Sequence, residues 1–305
     1  MRDTIVKTTS LTKRYRKFTA LDSADMTVYS GDIYGLIGRN GAGKTTFMKI
    51  ITDLTDQTSG EYELFGKKSS DTASEKRRIG CLIENPAFFG NMTAWQNLRY
   101  YCYQKGITDL KQIDKVLELV SLTDVRDKKF RKFSLGMKQR LGIAFALLDN
   151  PDLVILDEPI NGLDPIGISE LRETFLRLNK EHGITFIISS HILSELYAVA
   201  NRFMFLNNGK VLKEISKEEL DLECSRCTVV KTSDTKHAVT VLENELDVNG
   251  YKVIDNSEIR IYSTGITPEV INQKLVSAGV PVSGIFESGV SLEDYFKTLI
   301  GEVSE

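Results

Sequence analysis

The chain has 305 residues, 41% hydrophobic and 27% charged, an ordinary globular mixture long enough for one large domain or two of moderate size. With 39 basic against 42 acidic residues and a net charge of −3, no global basic field points to nucleic acid as a partner. The polar start Met1-Arg2-Asp3-Thr4 predicts no signal peptide, and no apolar run approaches the ~20 residues that span a bilayer. Any role at a membrane is therefore expected to run through a partner.

In chain order, Thr4 to Tyr15 reads as an opening strand and turn, and Met26-Thr27-Val28-Tyr29 as a short alternating segment. Gly31-Asp32 is a turn. The apolar run Ile33-Tyr34-Gly35-Leu36-Ile37 then leads into Gly38-Arg39-Asn40-Gly41-Ala42-Gly43-Lys44-Thr45-Thr46, and Phe47 to Ile51 continues as a helix. Strand, glycine-rich turn and helix is the context in which G-x-x-x-x-G-K-[ST] marks a phosphate-binding loop. Gly38, Gly41 and Gly43 carry no β-carbon, so backbone N–H groups can wrap a polyphosphate, with the helix start adding its positive dipole end. Lys44 offers a charge for the β- and γ-phosphates, and Thr45 a hydroxyl for Mg²⁺. Tyr15 is placed to stack on a nucleotide base; Phe18 is the alternative, and a half-buried strand tyrosine the bland reading.

Downstream, Glu61–Phe65 alternates like an edge strand ended by Gly66-Lys67-Lys68, and Arg78–Ile83 is an apolar strand running into the polar break Glu84-Asn85-Pro86-Ala87. Thr93 to about Val125 reads as a helical insertion, with Trp95, Leu98, Tyr101 and Cys102, then Ile113, Leu117 and Val120, at helical spacing. Phe88, Phe89, Trp95, Tyr100, Tyr101 and Tyr103 form an aromatic zone, either core packing or an exposed docking pocket. The basic run Arg126 to Lys132 reads as a solvated loop. It leads to Ser134, an N-cap for an apolar helix, which with Gly136 makes a second potential anion site. Leu153-Val154-Ile155-Leu156 is a buried strand ending in Asp157-Glu158-Pro159. Such carboxylates fall beside a phosphate loop in a doubly wound sheet: Asp157 for Mg²⁺, Glu158 for an attacking water. Asn161–Pro165 is a tight turn before a helix, and Ile184–Ser189 a further buried strand that delivers Ser190-His191 at its carboxyl end. His191 is expected to donate to the γ-phosphate or its water, whereas His182 and His237 read as surface residues. Of the four cysteines, Cys224 and Cys227 have the spacing of half a zinc site without a second pair, so free thiols are expected.

In this order the blocks resemble the ATP-binding subunit of an ABC transporter over roughly residues 4 to 220. Gly38–Thr46 matches the Walker A motif and Leu153–Glu158 Walker B with its catalytic glutamate. Asn161–Asp164 matches the D-loop, His191 the switch histidine, Tyr15 the adenine-stacking aromatic and Ser134–Arg140 the signature. Two positions depart. The signature reads Phe133-Ser134-Leu135-Gly136-Met137 instead of Leu-Ser-Gly-Gly-Gln, and the Q-loop position carries Glu84, whose carboxylate is expected to reach Mg²⁺ or the water. Both departures resemble the bacitracin- and lantibiotic-exporter branch. The resemblance implies an α/β P-loop NTPase core with a mixed sheet over residues 1–222, its helical subdomain at about 92–150, and ATP and Mg²⁺ as cofactors. It implies catalytic roles for Lys44, Glu84, Glu158 and His191, with ATP contacts from Tyr15, residues 38–46, Ser134 and Gly136. Two subunits, of one kind or two, would close head to tail over ATP. A separate integral membrane permease would dock at Glu84–Phe89 and the helical insertion, holding the chain at the inner face of the membrane. The alternatives are a translation factor, which carries two cassettes and a basic linker, and an iron–sulfur assembly ATPase, which usually lacks a further carboxyl-terminal domain. Residues 223–305 read strand-helix-strand-strand-helix-strand, the ferredoxin-like order, and are expected to form an accessory domain for dimerisation or regulation.

Overall fold

The first unit opens with two long strands, β1 (Thr4–Tyr15) and β2 (Phe18–Tyr29), paired antiparallel from Thr4 opposite Tyr29 to Tyr15 opposite Phe18. The expected segment at Met26–Tyr29 is thus the end of a strand three times as long. Next come β3 (Ile33–Ile37), α1 (Lys44–Ile51), β4 (Ser59–Leu64), β5 (Lys67–Lys68) and β6 (Ile79–Leu82). The helical insertion holds α2 (Ala94–Lys105), α3 (Lys111–Leu119) and α4 (Leu135–Leu147), and the unit finishes with β7 (Leu153–Leu156), α5 (Pro165–His182), β8 (Thr185–Ser190), α6 (Leu193–Tyr197), β9 (Arg202–Asn207) and β10 (Lys210–Ser216). The computed structural model describes residues 2–72, 74–84, 87–224, 227–262 and 266–301. The polar break expected at Asn85-Pro86 lies outside them.

Two sheets carry this unit. The larger has the order β10-β9-β3-β8-β7-β6, parallel except for the β9–β10 hairpin. All residues of β3, β7 and β8 are buried, as the apolar runs IYGLI, LVIL and TFIIS require of strands covered on both faces. The smaller sheet has the order β2-β1-β4-β5, antiparallel throughout. Here the structure corrects the sequence reading: β4 is interior, because Lys67–Lys68 folds back on Glu63 and Leu64 as the edge strand. The alternation of Glu61–Phe65 reports one wet face, not an edge. Met26, Val28, Phe47, Met48, Ile50 and Ile51 join both sheets in one core. Each such side chain contributes about 1.5–3 kcal/mol by burial.

Helix starts follow the local chemistry. Thr93 and Gln96 form a reciprocal capping box on α2, Ser134 accepts the Met137 N–H on α4, and Asp164 accepts the Gly167 N–H on α5 with Pro165 in the first turn. The aromatic zone is divided between packed and exposed rings. Phe88 and Tyr101 meet Phe145 edge-on or tilted, while Phe89, Tyr100 and Tyr103 remain exposed.

The second unit spans Glu218–Glu305, following Met1–Lys217. This division falls at the start of α7 (Lys217–Cys224), a few residues before the 222/223 boundary read from sequence. It continues as β11 (Cys227–Thr232), α8 (Thr235–Leu246), β12 (Tyr251–Val253), β13 (Glu258–Ile261), α9 (Pro268–Ser277), β14 (Val282–Ser288) and α10 (Leu292–Leu299). Its sheet has the order β12-β13-β11-β14, all antiparallel, which is the ferredoxin-like arrangement. Val230, Ile259, Ile261, Ala238, Leu242, Ile271 and Leu275 form its core. Ser291 caps α10 through the Asp294 N–H. Among the described residues, no helix is long and apolar enough to cross a membrane, and no group of three or more His, Cys, Asp or Glu could hold a metal ion. All four cysteines are free, and burial pushes the Cys224 thiol up to about 11.

Candidate functional site at the carboxyl ends of the parallel strands

β3 ends at Ile37, and the chain turns at once around residues 38–43 before α1 begins at Lys44. The turn needs its glycines. Gly43 sits at φ 110°, and a β-carbon there would lie 2.6 Å from the Ala20 carbonyl oxygen; one on Gly38 would lie 2.5 Å from that of Leu206. The loop encloses a cavity of about 230 Å³ lined by Phe18, Ala20, residues 39–46 and Glu158. Lys44 is almost fully buried, and its ammonium donates to the carbonyl oxygens of Gly38 at 2.5 Å and Arg39 at 3.3 Å.

The ends of β7 and β8 meet this loop. Lys44 Nζ lies 3.1 Å from Glu158 Oε1, and Glu158 Oε2 lies 2.8 Å from His191 Nδ1. One carboxylate thus bridges the phosphate-loop lysine and the strand-end histidine. Asp157 Oδ2 accepts the Thr45 hydroxyl at 2.7 Å, and Asp157 Oδ1 accepts the Ser189 hydroxyl at 2.6 Å. Ser189 Oγ in turn accepts the Glu158 N–H at 2.8 Å. Glu158 is in the left-handed region at φ 47°, an uncommon place for a residue with a long side chain.

Lys44, Thr45, Asp157, Glu158 and His191 are therefore brought together. Tyr15 does not line the cavity; it faces Phe18 across the hairpin end, Lys13 Nζ lies 5.0 Å from its ring centroid, and Phe18 is the aromatic at the cavity wall. Glu84 also stands apart, 66% exposed and ion-paired through Oε1 to Lys49 Nζ at 2.6 Å. Its carboxylate holds the Lys49 ammonium above its ordinary value. Ser134 and Gly136 are outside the cavity. Ser134 is exposed at the α4 start, and a β-carbon on Gly136 would lie 3.7 Å from Leu163 of the Asn161–Asp164 turn. His182 and His237 are exposed.

Sequence reasoning missed Ser189 and Lys49. Ser189 had a signal, a hydroxyl closing an otherwise apolar buried strand. Lys49 had only its spacing, one helical turn past Thr45 on α1.

A strand–glycine loop–helix turn facing an aspartate and a glutamate from a parallel strand two places along the sheet defines a P-loop nucleoside triphosphatase. The profile of the ABC transporter family matches residues 21–161. The bacitracin transport ATP-binding protein BcrA of Bacillus licheniformis is 45% identical over 299 residues, covering 98% of each chain. The lantibiotic transport ATP-binding protein SrtF of Streptococcus pyogenes is 43% identical over 210 residues, 69% of this chain and 90% of its own. Among solved structures, the dimeric form of a bacterial ABC transporter cassette superposes with a TM-score of 0.63 at 25% identity, covering 70% of this chain and 99% of the cassette. The chain belongs to the ABC transporter ATP-binding proteins and is an ATPase.

Proposed function

We propose that this chain is the motor subunit for export of a peptide antibiotic, of the bacitracin or lantibiotic kind, through a separate membrane permease. The observation that carries the catalytic part is the Glu158 carboxylate at the mouth of the phosphate loop, one oxygen on Lys44 and the other on His191. Likeness to the bacitracin and lantibiotic transport proteins supports the cargo, and for the bacitracin protein it runs through the second unit as well.

Lys44 and the amides of residues 39–46 bind the ATP phosphates, with positive charge and N–H groups converging from one side. Glu158 accepts the proton of the attacking water and His191 holds that carboxylate in place. Phe18, or Tyr15 beside it, stacks on the adenine. The hydroxyl of Thr45 and carboxylate of Asp157 are hard oxygen donors within 2.7 Å of each other, a set that fits Mg²⁺. The bound ion would neutralise phosphate charge, with Glu84 near it once released from Lys49. Ser134 and Gly136, exposed and outside the chain's own cavity, contact the terminal phosphate held by a second copy. The exposed Phe89, Tyr100 and Tyr103 receive a permease element at the cytoplasmic face.

The test is resistance. Cells carrying this chain with the permease encoded beside it should tolerate a higher dose of bacitracin or a lantibiotic than cells carrying the Lys44→Ala chain. Equal tolerance of every peptide antibiotic tried, with both proteins present in the membrane fraction, would overturn the export reading.

A further inference from the structure

We propose that Ser189 is a positioning residue that ties the two carboxylates of the ATPase site together through a single hydroxyl. The inference rests on the reading of Asp157 as the magnesium carboxylate and Glu158 as the base.

Ser189 is the fifth residue of β8 and has no exposed surface. A serine hydroxyl has one proton to give and lone pairs to receive. Here the proton goes to Asp157 Oδ1 at 2.6 Å and a lone pair takes the Glu158 N–H at 2.8 Å. Asp157 Oδ2 meanwhile accepts the Thr45 hydroxyl, so both oxygens of Asp157 are fixed and its carboxylate plane is set. Glu158 occupies the left-handed region at φ 47°, and such backbone persists only where neighbours over-determine it. Its N–H is held by Ser189 and its carbonyl oxygen accepts the Asn161 N–H at 3.2 Å.

The end of β8 therefore grips Glu158 twice. Ser189 holds the backbone, and His191, two residues on, holds the carboxylate at 2.8 Å. Any tilt of Asp157 moves the Ser189 hydroxyl, and with it the amide that keeps Glu158 in its strained conformation. Alanine at 189 would leave the part-buried Glu158 amide and an Asp157 carboxylate oxygen without their partner, which relaxes Glu158 away from Lys44 and loosens Asp157. A serine that served packing alone would affect stability without touching the ion or the chemical step.

Steady-state ATPase kinetics of the full chain with a Mg²⁺ titration separate these cases. Ser189→Ala should lower kcat by about 10–100-fold and raise the Mg²⁺ concentration for half-maximal rate several-fold, the scale of losses beyond a metal's direct ligands. Binding of a fluorescent ATP analogue in EDTA should stay within about twofold, because Lys44 and the loop amides are untouched. Ser189→Thr, which keeps the hydroxyl, should recover most of kcat. If Ser189→Ala does not fold, Ser189→Cys keeps the volume with a weak donor and is read in the same way. Wild-type kcat and Mg²⁺ dependence in Ser189→Ala would overturn the proposal, as would a Ser189→Thr chain that folds and binds ATP but recovers nothing. Glu158→Gln and Asp157→Asn are run beside them. If those two hydrolyse ATP normally, the reading of the site fails and the proposal with it; if they are dead and Ser189→Ala is normal, the proposal alone fails.

Discussion

The two ends of the six-stranded sheet are both rich in charge, yet they use it differently. At the amino ends, polar groups tie the strand starts to the segments around them. Asp32, fully buried, accepts the Tyr29 N–H at 3.0 Å and the Asn201 side-chain amide at 2.9 Å, with Arg2 beside it at 3.3 Å. Arg78 pairs with Glu75 at 2.9 Å and Asp152 at 2.6 Å while its guanidinium lies 3.8 Å from the centroid of the Phe65 ring. At the carboxyl ends the groups gather around the phosphate loop and its helix: Lys44 to Glu158 to His191, Thr45 to Asp157 to Ser189, Lys49 to Glu84. The backbone differs in the same sense. Before β7 and β8 the left-handed positions are Asn150 and Gly183, residue types that adopt that region readily; after β6 and β7 they are Glu84 and Glu158. Beside these strands, left-handed backbone that a glycine or asparagine would adopt freely is held by glutamates after β6 and β7, on the side of the phosphate loop.

If this division holds, removing charge at one end should abolish catalysis and spare stability, and at the other the reverse. The largest effect expected is from Lys44→Ala, which should lower ATP hydrolysis by about a thousandfold or more and abolish ATP binding by calorimetry, with the melting temperature nearly unchanged. Asp32→Ala should destabilise the first unit by about 2–4 kcal/mol in urea unfolding, since it removes a fully buried carboxylate and leaves the Tyr29 amide and the Asn201 side chain without their acceptor, while hydrolysis per folded molecule stays normal. Glu75 gives a smaller, pH-dependent effect. Lys67 first, then Arg78 and Ser74, hold its carboxyl down at about 2, below its ordinary value. A depressed carboxylate stabilises fully above its unfolded value, and that contribution is lost as the pH falls toward 2. The stability gap between wild type and Glu75→Gln should therefore close on acidification across that window. The smallest effect is expected from Glu84→Gln, which should keep hydrolysis within about threefold of wild type, because the carboxylate is exposed and engaged with Lys49. A loss as deep as that of Glu158→Gln would place Glu84 inside the chemistry.

Much of the fold was legible because its signals are local. The glycines of residues 38–43 and the unbroken apolar runs of β3, β7 and β8 each need only their own few residues to be read. The second unit was legible from element order, since strand-helix-strand-strand-helix-strand has few sheet solutions. What was not legible depends on distant pairing. That β4 is interior follows from two lysines folding back, and no periodicity inside Glu61–Phe65 contains it. The partners of Lys49 and Ser189 are far away in sequence. The cavity's aromatic turned on the β1–β2 register, which sets Tyr15 opposite Phe18 and gives the wall to Phe18.

The central claim is that a second copy supplies Ser134 to the ATP held by Lys44. Sedimentation velocity with Mg²⁺ and ATP tests it on two chains, Glu158→Gln and the same chain carrying Ser134→Arg as well. The first should sediment as a dimer and the second as a monomer that still binds ATP with equal affinity, because Ser134 lies outside the chain's own cavity. A Ser134→Arg chain that dimerises as well as its parent, or that loses ATP affinity as a monomer, would contradict the claim.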